Sequence, residues 1–403
     1  MRRMFWRKAQ KRVYLDYAAA TPLLPEVKAA MMPFLDTTYA NPSAIHAEGA
    51  AAKRAVEDAR ERIAGAIQVR PEFLTFVSGG TEANNLAIMG TVMKLRADGR
   101  EFSDMEIVTT KIEHPSVMNT MKSLKRRGVM VKYVGVNNEG LVNLEELTQL
   151  LTKKTVLFSV AYANNEIGTV QKLHGIKKVL ETAEKKFGSK IIFHVDAAQA
   201  PLWLSCQFDS TKADLLALDA GKCNGPKGVG LLVRSRRAEV TSYLFGGGQE
   251  DGLRPGTENV AGVVGAAVAI ENAQANFKER KEKVSNVRDE GILYILENIP
   301  NAVLNGPDGE QRLANNINIS IPNIDTEFAT VVLDKHGFAV STKSACSGAG
   351  GGESTVVKEI SGDPARALST LRISLSPDTT LSDIKDLTKV LKGHVTKMSA
   401  LIE

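Results

Sequence analysis

The chain has 403 residues, 43% apolar and 24% charged, the balance of an ordinary globular protein with room for two or three structural units. No apolar run approaches the roughly 18–20 residues that a membrane helix needs; the longest, VAGVVGAAVAI from 260, is too short. The formal charge of +5 misleads: Arg2, Arg3, Arg7, Lys8, Lys11 and Arg12 precede Val13 and leave −1 for the rest. A short basic extension on a near-neutral body argues against a nucleic-acid surface.

In chain order, Val13–Thr21 (VYLDYAAAT) reads as a short strand running into small residues and the Pro22 turn. Helical spacing follows over 25–36 and 47–67, the second rich in Ala, Glu, Lys and Arg at i,i+4 intervals. Strands and helices then alternate. Strands are predicted at 74–77, 106–110, 129–134, 155–161 and 191–195, with helices at 82–96, 115–127, 143–151 and 173–187 between them. Apolar runs at 215–218 and 229–233 complete the series. This rhythm predicts an α/β unit with a mainly parallel sheet flanked by helices. Past the Gly-rich patch 246–256, one long helical stretch over 258–298 leads into strands 315–321 and 337–341 and closing helices. The expected organisation is a large domain over 20–265 and a smaller α+β domain from 1–19 with 266–403.

No secretory signal is visible. Cys206, Cys223 and Cys346 are widely spaced and make neither a disulfide framework nor a zinc site, which points to a reducing, cytoplasmic compartment.

The chemistry concentrates at strand ends. Asp196 sits at the end of the 191–195 strand, with Gln199 three residues on. Lys222 follows the next apolar run, in Asp219-Ala220-Gly221-Lys222 before the GPKG turn. A carboxylate and a lysine at adjacent strand ends are the parts that hold a pyridinium and form a Schiff base, as in pyridoxal phosphate (PLP) enzymes. Each alone is more often a capping acid or a surface lysine. Ser78-Gly79-Gly80-Thr81-Glu82 lies between strand and helix, where exposed N–H groups favour a phosphate, although many such turns bind nothing. His114 precedes a Pro-started helix at another strand end, placed to lie over a planar ligand and exchange protons. Asn164-Asn165-Glu166-Ile167-Gly168 ends a further strand. Cys346, in the Gly- and Ser-rich SACSG segment, has the accessible setting of a reactive thiolate, whereas Cys206 and Cys223 read as packing.

Together these stretches resemble the cysteine desulfurases, PLP enzymes of fold type I. The resemblance runs from YLDYAAATP at 14 through RISLSPDTT at 372. It includes NPSAIH (41–46), SGGTEANNLAI (78–88), EHPSV (113–117), NNEIG (164–168), HVDAAQ (194–199), GPKGVG (225–230), RPGTEN (254–259) and SACSG (344–348). It implies Lys222 as the Schiff-base lysine, Asp196 on the pyridine nitrogen, Gln199 on the ring oxygen and His114 stacked on the ring. Gly80 and Thr81 would hold the phosphate, joined by Thr257 from the second subunit of a homodimer. Asn165 and Arg372 would grip the carboxylate of L-cysteine, and Cys346 would accept its sulfur. The sulfur would pass to an acceptor such as an iron–sulfur scaffold or a tRNA-thiolation protein, with no direct nucleic-acid or membrane contact. The chain departs from the family's usual Ser-x-His-Lys at Asp219 and Gly221, so two expected phosphate donors are missing and a carboxylate stands for one. A selenocysteine lyase shares these motifs; an aminotransferase would not need Cys346. A non-catalytic docking protein on the same fold is a third reading, disfavoured by the joint presence of Lys222, Asp196, His114 and Cys346.

Overall fold

The computed structural model describes residues 12–342 and 352–402, which form two compact units. The larger comprises Ala20–Asn165 and Thr169–Lys281. The smaller comprises the described residues before Ala20, the segment Glu166–Gly168, and the chain from Glu282 onward.

Strand β1 (Val13–Tyr14) belongs to the smaller unit. The larger unit is built on seven strands: β2 (Leu74–Val77), β3 (Glu106–Thr110), β4 (Met130–Val134), β5 (Thr155–Ala161), β6 (Ile192–Asp196), β7 (Leu215–Asp219) and β8 (Gly230–Arg234). Their order is β2-β8-β7-β6-β5-β3-β4. Within this sheet β8 runs antiparallel to β2 and β7, and the remaining pairs are parallel. Strands such as LTFV and LLAL are buried along their length because helices cover both faces, so they read as continuous apolar runs.

The helices of this unit are α1 (Pro25–Asp36), α2 (Ala47–Ile67), α3 (Gly80–Ala97), α4 (Pro115–Arg126), α5 (Leu144–Leu150), α6 (Leu173–Phe187), the short α7 (Phe208–Thr211) and α8 (Val260–Ala275). Leu86, Ile88 and Val92 of α3 share one core cluster with Val117, Met121 and Leu124 of α4 and with Ile107, Leu157 and Leu215 of the sheet. That packing fixes where α3 and α4 begin, and both begin at the site. The predicted single helix over 258–298 is two: Asn276 leaves helical geometry (φ −117°, ψ 12°) between α8 and α9 (Phe277–Asn298). Helix α8 packs on α1 and α2, close enough that a side chain at Gly265 would meet Met31. The boundary between the units therefore falls after Lys281 rather than at 265.

In the smaller unit β9 (Val303–Leu304), β10 (Asn316–Ser320) and β12 (Thr370–Ser374) form an antiparallel sheet in the order β12-β10-β9, while β1 pairs in parallel with β11 (Phe338–Ala339). The helices are α10 (Thr326–Lys335), α11 (Thr355–Ser361), α12 (Pro364–Leu368) and α13 (Leu381–Ile402). Among the described residues no helix is long and apolar enough to cross a membrane.

Candidate active site

Parallel pairing sets the geometry. Asp196, the last residue of β6, is registered against Ala217 of β7, so the turn carrying Asp219 and Lys222 begins two residues beyond it. The carboxylate of Asp196 is 7% exposed. It accepts from Asn84 Nδ2 at 2.7 Å and from the Ala198 amide at 3.0 Å. A buried acceptor-only group held from two sides suits an N–H donor such as a protonated pyridine nitrogen.

His114 caps α4, with Pro115 in the first helical position. The Ser116 amide donates to its Nδ1 at 3.1 Å, so the neutral ring carries its proton on Nε2. Burial lowers its pKa; the charges of Asp196, Lys222 and Asp219 act on it too, placing all four groups together. Ser116 Oγ lies 2.8 Å from Nδ1 and accepts from Asn84 at 2.9 Å, so Asn84 ties Asp196 to His114 through one hydroxyl. The fully buried carboxyl of Glu113 is pushed up to about 8 by burial, with a further rise from the Asp196 charge. It accepts from Thr110 Oγ1 at 2.7 Å. The sequence alone does not single out Asn84, Ser116 or Glu113. Asn84 offered one signal, lying four residues after Gly80 and hence on the same face of α3.

The anion end is built by two close backbones. Gly79 has φ +153°, a conformation open essentially to glycine. A Cβ on Gly230, at the start of β8, would sit 2.4 Å from the Gly79 carbonyl carbon, so that position also excludes a side chain. Here the Gly80 amide donates to Asp219 Oδ2 at 3.1 Å, and the Gly221 amide donates to Oδ1 at 2.9 Å. Thr81 is exposed in the first turn of α3. The Ser78 amide donates to Glu82 Oε2 at 2.5 Å, and Glu82 also pairs with Arg254 at 3.2 Å. Lys227, in the GPKG turn that follows Lys222, donates to the Thr21 carbonyl.

The remaining candidates fall in several places. Gln199 is buried just beyond Asp196, and Lys222 and Asn165 are half-buried. Thr257 is exposed after Gly256. Arg372 belongs to the smaller unit, on β12, where it is 1% exposed and paired with Asp16 at 2.8 Å. Cys346 lies outside the described residues. Cys206 and Cys223 are buried free thiols pushed far up by burial, as packing cysteines are.

A mainly parallel sheet, a lysine and a carboxylate at neighbouring strand ends, and a glycine-opened helix facing them define a PLP-dependent enzyme of fold type I. The aminotransferase class-V family model matches residues 13–387. A protein of Dictyoglomus turgidum named "Cysteine desulfurase IscS" is 38% identical over 392 residues, covering 97% of this chain and 96% of that one. The chain therefore belongs to the class-V aminotransferase family, in its cysteine desulfurase branch. A solved "NifS-like protein" superposes with a TM-score of 0.87 at 32% identity, covering 96% of this chain and 99% of that one. A structure titled "SspA in complex with cysteine" gives a TM-score of 0.76 at 32% identity, covering 90% and 99%.

Proposed function

We propose that this chain is a cysteine desulfurase: it takes the sulfur from L-cysteine onto Cys346 as a persulfide and releases L-alanine. The observation that carries the reading is the joint setting of Lys222, Asp196 and a neutral His114, in a chain this similar to proteins named cysteine desulfurase. PLP, when bound, supplies the electron sink. The protein's own groups do the rest. Lys222 would hold the cofactor covalently, and Lys222 or His114 would move the proton at the substrate Cα. Asp196 would accept from the pyridine N–H and keep that nitrogen charged. His114 would lie against the ring and donate from Nε2, and Gln199 would donate to the ring oxygen. Gly80 and Thr81, with Thr257 of a second subunit, would hold the phosphate, and Asn165 and Arg372 the substrate carboxylate. The balance closes without another reactant: the Cys346 S–S bond forms as the substrate Cβ–S bond breaks, sulfur is oxidised, and the carbon gains the hydrogen of alanine.

A homodimer belongs to this reading. The exposed Thr257 supports it, as do the exposed apolar side chains of Tyr39, Ile45 and Phe245 in the same unit. A cytoplasmic location and delivery of the sulfur to an iron–sulfur scaffold or tRNA-thiolation protein belong to the same reading.

The test is to supply the PLP-loaded protein with L-cysteine in a single turnover and count alanine and sulfane sulfur. Equal yields are expected from the wild type, and no sulfane from Cys346→Ser. Alanine released by Cys346→Ser at the wild-type rate would remove Cys346 from its role. A selenocysteine lyase would turn over L-selenocysteine and leave L-cysteine intact.

A further inference from the structure

We propose that Asp219 is a resident anion of the phosphate cradle, competing with the cofactor's phosphate for the Gly80 amide at the start of α3. The inference rests on the cofactor reading given above and concerns how this chain holds that cofactor. A helix start offers amides that no carbonyl of its own helix can satisfy, and it favours negative charge. In this chain the Gly80 amide is spent on Asp219 Oδ2 at 3.1 Å, and the other carboxylate oxygen takes the Gly221 amide at 2.9 Å.

The fit is close on every side. A Cβ on Gly80 would lie 3.3 Å from Asp219 Oδ2 and 3.5 Å from the Ala198 side chain; one on Gly221 would lie 3.2 Å from Oδ1. Glycine at 221 thus leaves the carboxylate room to turn onto both amides. The other carboxylate of the turn, Glu82, is neutralised by Arg254 and accepts from the Ser78 amide, two residues before that of Gly80. Lys227 is engaged at Thr21. A phosphate monoester that takes the Gly80 amide must displace Asp219 and then tolerate its charge nearby. The hold on the cofactor therefore rests on Lys222 and the ring contacts more than on the phosphate.

The experiment compares the full-length wild type with Asp219→Asn, which keeps size and one acceptor while removing the charge. Asp219→Ser serves as a second variant. Three ligands are titrated into the cofactor-stripped proteins: inorganic phosphate by calorimetry, and pyridoxal and PLP by their visible absorbance on binding. Both variants should bind inorganic phosphate roughly tenfold more tightly or better, the least that relief of a like charge at this range gives. The preference for PLP over pyridoxal should rise by a similar factor, with pyridoxal affinity little changed. Unchanged phosphate affinity and unchanged preference, with pyridoxal still giving its band, would overturn this inference alone. No visible band from pyridoxal or PLP with any protein would overturn the assignment of Lys222, and this inference with it.

Discussion

The two ends of the site in the larger unit are made on different principles. At the ring end, side chains do the holding: Asn84 bonds Asp196 and Ser116, and Ser116 bonds His114, all against a buried core. At the anion end, backbone does it: Gly79, Gly80, Gly221 and Gly230 bring amides and carbonyls together, and one carboxylate occupies the convergence. A side-chain network is broken by removing a partner, whereas a backbone cradle is broken by adding an atom. Substitutions of the two kinds should therefore fail in opposite ways.

The largest effect is expected at the residue between the two ends. Lys222→Ala should abolish the visible absorbance of bound cofactor and all alanine formation together. Borohydride reduction of the wild type followed by peptide mapping should place the pyridoxyl label on Lys222, and a label on Lys227 would contradict the assignment.

Next comes a pH effect peculiar to the ring end. Folded Glu113 keeps its proton up to about pH 8, while the unfolded chain releases it near the ordinary glutamate value of 4.5. Its contribution to stability is complete below that lower value and is lost as pH rises through the folded one, at up to about 1.4 kcal/mol per pH unit. Glu113→Gln should match the wild type near the lower value and exceed it near the upper. Parallel urea-unfolding curves across that range would contradict the buried, protonated carboxyl.

At the anion end, Gly230→Ala puts a methyl against the Gly79 backbone, 2.4 Å from its carbonyl carbon. Backbone cannot swing aside as a side chain can, so a loss of about 3 kcal/mol is expected. PLP binding should weaken with it, and an unchanged denaturation midpoint would show that the cradle yields. The smallest effect is that of Asn84→Ala, which strips one donor from Asp196 at a cost of about 2 kcal/mol. Its sharper signature is the shared hydroxyl of Ser116: the pH dependence of the bound cofactor's spectrum should move in this variant and stay put in Gly230→Ala.

The sequence by itself determined the alternating α/β order, the sheet strands of the larger unit to within a residue or two, and the positions of Asp196, Lys222, His114 and the Ser78–Glu82 turn. It could do so because strands buried on both faces are written as continuous apolar runs and strand-end residues follow by counting. The polar strands of the smaller unit were harder. In β10 the sequence NINIS buries Asn316, Asn318 and Ser320, and in β12 TLRIS buries Arg372 and Ser374. The sequence still predicts strand 315–321, but it does not mark β12, five residues with an arginine at its centre. Only tertiary structure decides such cases, because a buried amide or guanidinium is stable solely where partners distant in sequence meet it. Asn305 Nδ2, for instance, donates to Asn318 Oδ1 at 2.8 Å, and Arg372 meets Asp16 from the far end of the chain. Asp219 follows the same logic. Its place in the chain suggested a charge opposed to phosphate, but the Gly80 amide it accepts comes from a helix 139 positions away, brought within reach by the sheet.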